Sequence, residues 1–215
     1  MEERVSFRNH CIVSCGMLYP EINHLMEVGF LDPYRIIFTP PGLHALPSDL
    51  EKYLVRSLKS AKEFCPSQRI IVVYGGSCYI NADQTGKRSD SIIEAQGEGI
   101  RRIQADYGYD MLADVKQRKR LTGDEEDKVL WFTTGWLKNW KAIYQRYFGW
   151  NKADANAYFP GQYRKIGVLD GIGISHRYLS DHPVEILELF DWTALAVEFY
   201  EISLTRLKKL LLECL

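Results

Sequence analysis

"RIIVVYGGSC", residues 69–78, decides the fold class. Ile70, Ile71, Val72 and Val73 run without alternation into Tyr74, Gly75 and Gly76, and a cysteine follows at 78. A continuous apolar run that stops on glycine reads as a strand covered on both faces, as in a parallel sheet. Two similar runs precede it. "HCIVSC", residues 10–15, ends at Gly16, and "YRIIF", residues 34–38, is stopped by Pro40, Pro41 and Gly42. Helical patterns separate the three runs: Ile22, Leu25 and Met26 share one face, and Leu50, Leu54 and Leu58 share another. The order strand, helix, strand, helix, strand predicts parallel strands with helices packed on them.

Downstream the alternation continues. "KVLWFTTG" (128–135), "RKIGVLDG" (164–171) and "ALAVEFYEI" (194–202) read as further strands. Helical patterns cover 136–150, 153–159 and 182–190, and a terminal helix follows with Ser203 as its N-cap. The stretch 91–119 reads as mostly helical, broken at Gly97, Gly99 and Gly108. The expectation is one α/β domain over 1–215, with an open, mostly parallel sheet of about five or six strands and helices on both faces.

Composition narrows the function. A hydrophobic fraction of 46% supplies a core, and a formal charge of -1 gives no reason to expect nucleic acid or an anionic membrane as partner. "KQRKR" (116–120) is offset by "DEED" (124–127), and the two read as a solvated loop. The amino end has no secretory pattern, and no window reaches the ~20 apolar residues of a membrane span. The expected location is the cytoplasm, with all five cysteines reduced and no CxxC pair among them. Most of the aromatic residues are expected to fill the core.

The carboxyl ends of parallel strands share one rim, and ligands bind where the strand order reverses. Cys15 and Gly16 follow the first strand, His44 follows the second, and Cys78 follows the third, next to Gly75 and Gly76. Two thiols and an imidazole suit zinc, and three protein ligands with one open position describe a catalytic zinc. Cys11, Cys65 and Cys214 sit in apolar patterns and read as core residues. Thr134 and Gly135 stand between a strand and a helix, where they cap the helix or leave N–H groups for an anion. Asp170, in "VLDGIG", follows the fifth strand and is either a ligand or base or a turn-forming Asp-Gly; Asp106 is a weaker candidate for the same work. No GxGxxG follows the first strand, and neither a Walker A sequence nor a GxSxG elbow is present.

"IVSCGML", "LHALPSDL", "VVYGGSCYIN", "WFTTGWLKNW" and "VLDGIG", in that order, resemble the family called domain of unknown function 1638. The likeness runs from about Ile12 to the terminal helix. It puts Cys15, His44 and Cys78 on the family's cysteine, Leu-His and Tyr-Gly-x-Cys positions, and Gly135 and Trp136 on its Gly-Trp. Tyr79 stands where the family pattern has glycine after the third-strand cysteine, and Asp106-Tyr107 stands where it often has Asp-Cys. Such proteins occur in methanogenic archaea and anaerobic bacteria, often encoded beside corrinoid-dependent methyltransferases. The resemblance therefore implies one-carbon metabolism, with a corrinoid protein or a methyltransferase as partner.

The leading expectation is a zinc protein that transfers a methyl or other small group, or hydrolyses a small-molecule substrate. Zinc would lie on Cys15, His44 and Cys78. Gly16, Gly75, Gly76, Thr134, Gly135 and Trp136 would line the cofactor site, and Asp170 and Asp106 would serve catalysis. Two alternatives stay open: an accessory module holding a corrinoid or a metal, and a metal-free enzyme with Cys78 as nucleophile activated by His44.

Overall fold

The computed structural model describes residues 6–67, 69–79, 81, 84 and 86–215. The first three strands are β1 (His10–Cys15), β2 (Arg35–Thr39) and β3 (Arg69–Val73). They are joined through α1 (Tyr19–Glu27) and α2 (Pro47–Phe64). Then come α3 (Ser89–Glu94), a short β4 (Ile100–Arg102) and α4 (Val115–Thr122). The second half holds β5 (Val129–Thr133), α5 (Thr134–Arg146), α6 (Lys152–Gln162) and β6 (Lys165–Asp170), followed by α7 (Ser175–Asp181), α8 (Pro183–Thr193), β7 (Ala196–Glu201) and α9 (Thr205–Leu212).

All the strand pairs are parallel, but they form two sheets rather than one. The first has the order β2-β1-β3-β4 and the second β5-β6-β7. The strand order of the first reverses between β1 and β3, so its switch point lies where Cys15 and Cys78 emerge. The two sheets share a core. Ile12, Ile71 and Val73 from the first meet Val129, Trp131 and Leu169 from the second, with α1 and α9 packed into the same cluster. The alternate residues point outward. Cys11, Val13, Ile70 and Val72 pack on α2 and α3, and Phe132, Ile166 and Val168 pack on α5, α6 and α8. Cys11, Cys65 and Cys214 are buried core residues, as expected.

Three further expectations change. The stretch 91–119 is not one broken helix: Gly97 and Gly99 take φ of +91° and +79°, which ends the α3 segment and turns the chain into β4. Ser203 is not the cap of α9; its hydroxyl donates to Thr205 Oγ1 at 3.0 Å, and Leu204 holds the cap position. The basic run 116–120 is also more than a solvated loop. Arg118 is buried between Asp110 and Glu126, at 2.5 and 2.6 Å, with its guanidinium against the rings of Tyr109 and Trp131. No helix among the described residues is long and apolar enough to cross a membrane.

Candidate functional site

β1 ends at Cys15 because Gly16 lets the chain turn tightly against β2: a Cβ on Gly16 would stand 2.3 Å from the Thr39 carbonyl oxygen. After β2, Gly42 takes φ +83° and starts the single turn Leu43–Ala45 that carries His44. After β3, the turn Gly76–Cys78 carries the second thiol. Gly75 permits that turn, since a Cβ there would lie 2.2 Å from the Asp106 carbonyl oxygen. Gly76 is less constrained, its nearest neighbours being flexible arginine side chains.

Cys15, His44 and Cys78 line one cavity of about 400 Å³. It lies between the carboxyl edge of the first sheet and β5, the edge strand of the second. Ten aromatic rings line it, three of them the indoles of Trp131, Trp136 and Trp150. Most of these rings are core residues as expected: Trp131, Phe132, Tyr144 and Phe159 are buried in the core clusters and line the cavity as well. No Asp, Glu, Lys or Arg is among the described residues of the lining.

The electrostatics follow from that wall. Burial pushes the Cys15 thiol up to about 11; the Met17 backbone N–H and the Tyr74 hydroxyl pull in the other direction. Cys78 is pushed up to about 12, first by burial and then by Cys15, whose charge would repel its own. Burial pulls His44 down to about 4. Its ring rests on Trp136 with centroids 5.0 Å apart. At neutral pH the cavity therefore presents two protonated thiols and a neutral imidazole. Tyr74 was not a candidate from sequence, although it heads the motif "YGGSC". It is almost fully buried, bonded to Thr39 Oγ1, and reaches Cys15 from below.

The donor types suit zinc, but the placement is incomplete. Among the described residues no group of three or more His, Cys, Asp or Glu is close enough to hold a metal ion. The sulfurs form a neighbouring pair, and His44 faces the same space from the Trp136 side.

The other candidates lie elsewhere. Asp170 is buried and outside the cavity lining; its Oδ1 accepts from Ile172 N–H at 3.1 Å and its Oδ2 from Ser175 N–H at 2.7 Å, so it organises a turn. Asp106 is exposed and paired with Arg88 at 2.7 Å, while its neighbours Tyr107 and Gly108 line the cavity. The amino end of α5 is not open to an anion. Thr134 N–H donates to Glu21 Oε1 at 3.0 Å, and Trp136 N–H donates to Thr133 Oγ1 at 3.3 Å. Gly135 packs on the Met17 backbone, and Gly16 opens to a separate cleft beside α1.

Glu21 is a residue that sequence reasoning missed. An acid in the first turn of an amphipathic helix normally faces water, yet Glu21 is fully buried and its Oε2 has no partner. Burial pushes its carboxyl up to about 7 from an ordinary 4.5. The folded protein keeps this proton to about pH 7 while the unfolded chain releases it near 4.5, so the contribution of the neutral carboxyl is complete below 4.5 and is lost as pH rises toward 7. Glu21→Gln is expected to stabilise the fold at pH 8 by up to about 3 kcal/mol and to change little at pH 4. Urea denaturation at the two pH values measures this; a variant equally or less stable at pH 8 would contradict the neutral carboxyl.

Comparison with known proteins adds one result. No curated protein and no solved structure matches this chain. A family described as a protein of unknown function, DUF1638, matches residues 38–211, a span that includes His44, Cys78 and the aromatic wall and begins after Cys15. With most of its length covered by that match, the chain belongs to the DUF1638 family.

Proposed function

We propose that the aromatic cavity binds a small, uncharged and mainly apolar substrate, and that Cys15, Cys78 and His44 take up zinc at its end. The observation that carries this reading is the convergence of three donors, from the ends of three successive strands, on one cavity with no charged side chain among the described residues of its lining. Its volume of about 400 Å³ falls within the usual 300–1,000 Å³ of small-ligand sites. Two protonated thiols beside a neutral imidazole are a poor nucleophile system, since His44 is too weak a base to activate Cys78. A soft dication reverses that balance by supplying the charge that favours both thiolates. His44 would have to leave Trp136 to complete the set.

Bound zinc would activate a thiol or water for small-group transfer or hydrolysis. Methyl transfer rests on the family's gene neighbourhood and is the narrower part of the proposal. In that role the chain's own residues seat the substrate on Trp136 and Phe132, stacked 5.4 Å apart, and keep water away from the sulfurs. The cavity is small for a corrinoid macrocycle, so a corrinoid would enter on a partner protein presented at the cavity mouth.

Elemental analysis of protein purified without chelator tests the reading. About one zinc per chain is expected in the wild type and in Cys214→Ser, with clear loss in Cys78→Ser and His44→Ala. Equal zinc in all four proteins, or none in any, would overturn it.

A further inference from the structure

The opposite edge of the first sheet carries a second feature. In the parallel register His10 pairs with Arg69, and Ile71 pairs with Arg101. His10 lies two residues before Ile12, and Arg69 two before Ile71, both members of the shared core. Strand alternation therefore sends His10, Arg69 and Arg101 out of the same face, from the first residues of β1 and β3 and the middle of the short β4. They line a cleft of about 360 Å³, closed on one side by Cys214 and Leu215 beyond α9.

The polar groups there are unmatched. His10 is only 7% exposed, and its Nδ1 is buried with no hydrogen-bond partner. Among the described residues, neither guanidinium has an ion-pair or hydrogen-bond partner, whereas the adjacent Arg102 is held by Asp90 at 2.6 Å. No Asp or Glu side chain is among the described residues lining the cleft. A buried polar atom without a partner costs about 1–3 kcal/mol and calls for an explanation. Burial lowers the proton affinity of His10, and the two guanidiniums, like charges on one cleft, lower it further. A ligand that accepts hydrogen bonds and brings negative charge would pair with both exposed guanidiniums beside the His10 ring.

We propose that His10, Arg69 and Arg101 form a binding site for a phosphate group, either the free ion or a phosphate monoester. Guanidinium forks match the oxygens of phosphate, and the two arginines balance a dianion. Ile70, Ile100 and Gly99 give the cleft an apolar side against which an organic carrier would rest. The site lies at the edge of the sheet remote from the aromatic cavity and is independent of the zinc proposal.

Calorimetric titration of the full chain with inorganic phosphate, and separately with adenosine monophosphate, tests it. Saturable binding at one site per chain is expected for at least one of the two. Tighter binding of the nucleotide identifies a carried phosphate, and equal or tighter binding of the inorganic ion identifies the free one. Arg69→Ala and Arg101→Ala, both at exposed positions, should each weaken binding about tenfold or more, and exposed Arg56→Ala on α2 should not. Binding that is absent with both probes, or unchanged in the Arg69→Ala/Arg101→Ala double variant when circular dichroism shows it folded, would overturn the proposal.

Discussion

Zinc affinity is expected to rise about 100-fold for each pH unit between about pH 6 and pH 9, because two thiol protons leave for each ion bound. The size of the effect comes from the cavity. Cys15 and Cys78 keep their protons to about 11 and 12, so both are fully protonated across this range in the metal-free protein. His44, pulled down to about 4, is already neutral and contributes no proton. A plot of log affinity against pH, from competition with a chelator of known protonation, should therefore have a slope of about two. Cys78→Ser should lower the slope to about one and the affinity by about 10²-fold or more. A slope of one in the wild type would mean that only one of the sulfurs binds, and a flat line would remove both.

Gly135→Ala should abolish the folded state or destabilise it by about 4 kcal/mol or more. Alanine is the better helix former by about 1 kcal/mol, and in an exposed helix the change would help. Here the new Cβ would stand 2.0 Å from the Met17 carbonyl oxygen and 2.6 Å from its carbon. Both are backbone atoms, so no rotamer change relieves the clash. The turn carrying Met17 and the start of α5 would have to separate. That would break the Thr133 Oγ1 bond to the Met17 carbonyl at 3.0 Å and the seat of Glu21 on Thr134. Gly161→Ala, in α6 with nothing within 4 Å of its added Cβ, serves as the control and should be neutral or slightly stabilising. Thermal unfolding distinguishes the outcomes; similar midpoints for Gly135→Ala and wild type would show that the contact between the Met17 turn and α5 is not tight.

The fold was legible where chemistry is local. "HCIVSC" and "IIVV" are buried on both faces, and "RIIF" at the sheet edge is half-buried; their continuous apolar runs announce parallel strands. "IRR" does not, because β4 is an edge strand of three residues with charged side chains, hidden between glycines and a polar turn. The division into two sheets was not legible either. Each half follows the same strand-helix alternation, and no residue marks that β4 and β5 fail to pair.

The candidate site was legible through topology rather than motif. Strand ends on one rim bring Cys15, His44 and Cys78 to a common cavity without any recognised metal spacing. The other wall was hidden, because Tyr144, Trp150 and Phe159 reach the cavity from α5, α6 and the loop between them, and their periodicity is that of ordinary core. Asp170 shows the opposite case. Its place after a strand suggested chemistry, and its two backbone partners show a turn.

X-ray absorption at the zinc edge is the most direct measurement of the central proposal. Protein loaded with one equivalent of zinc at pH 8 should show two sulfur neighbours at about 2.3 Å and one imidazole nitrogen at about 2.0 Å. The sulfur shell should fall by half in Cys15→Ser and in Cys78→Ser. A zinc surrounded only by nitrogen and oxygen, or a sulfur shell unchanged in both variants, would contradict it.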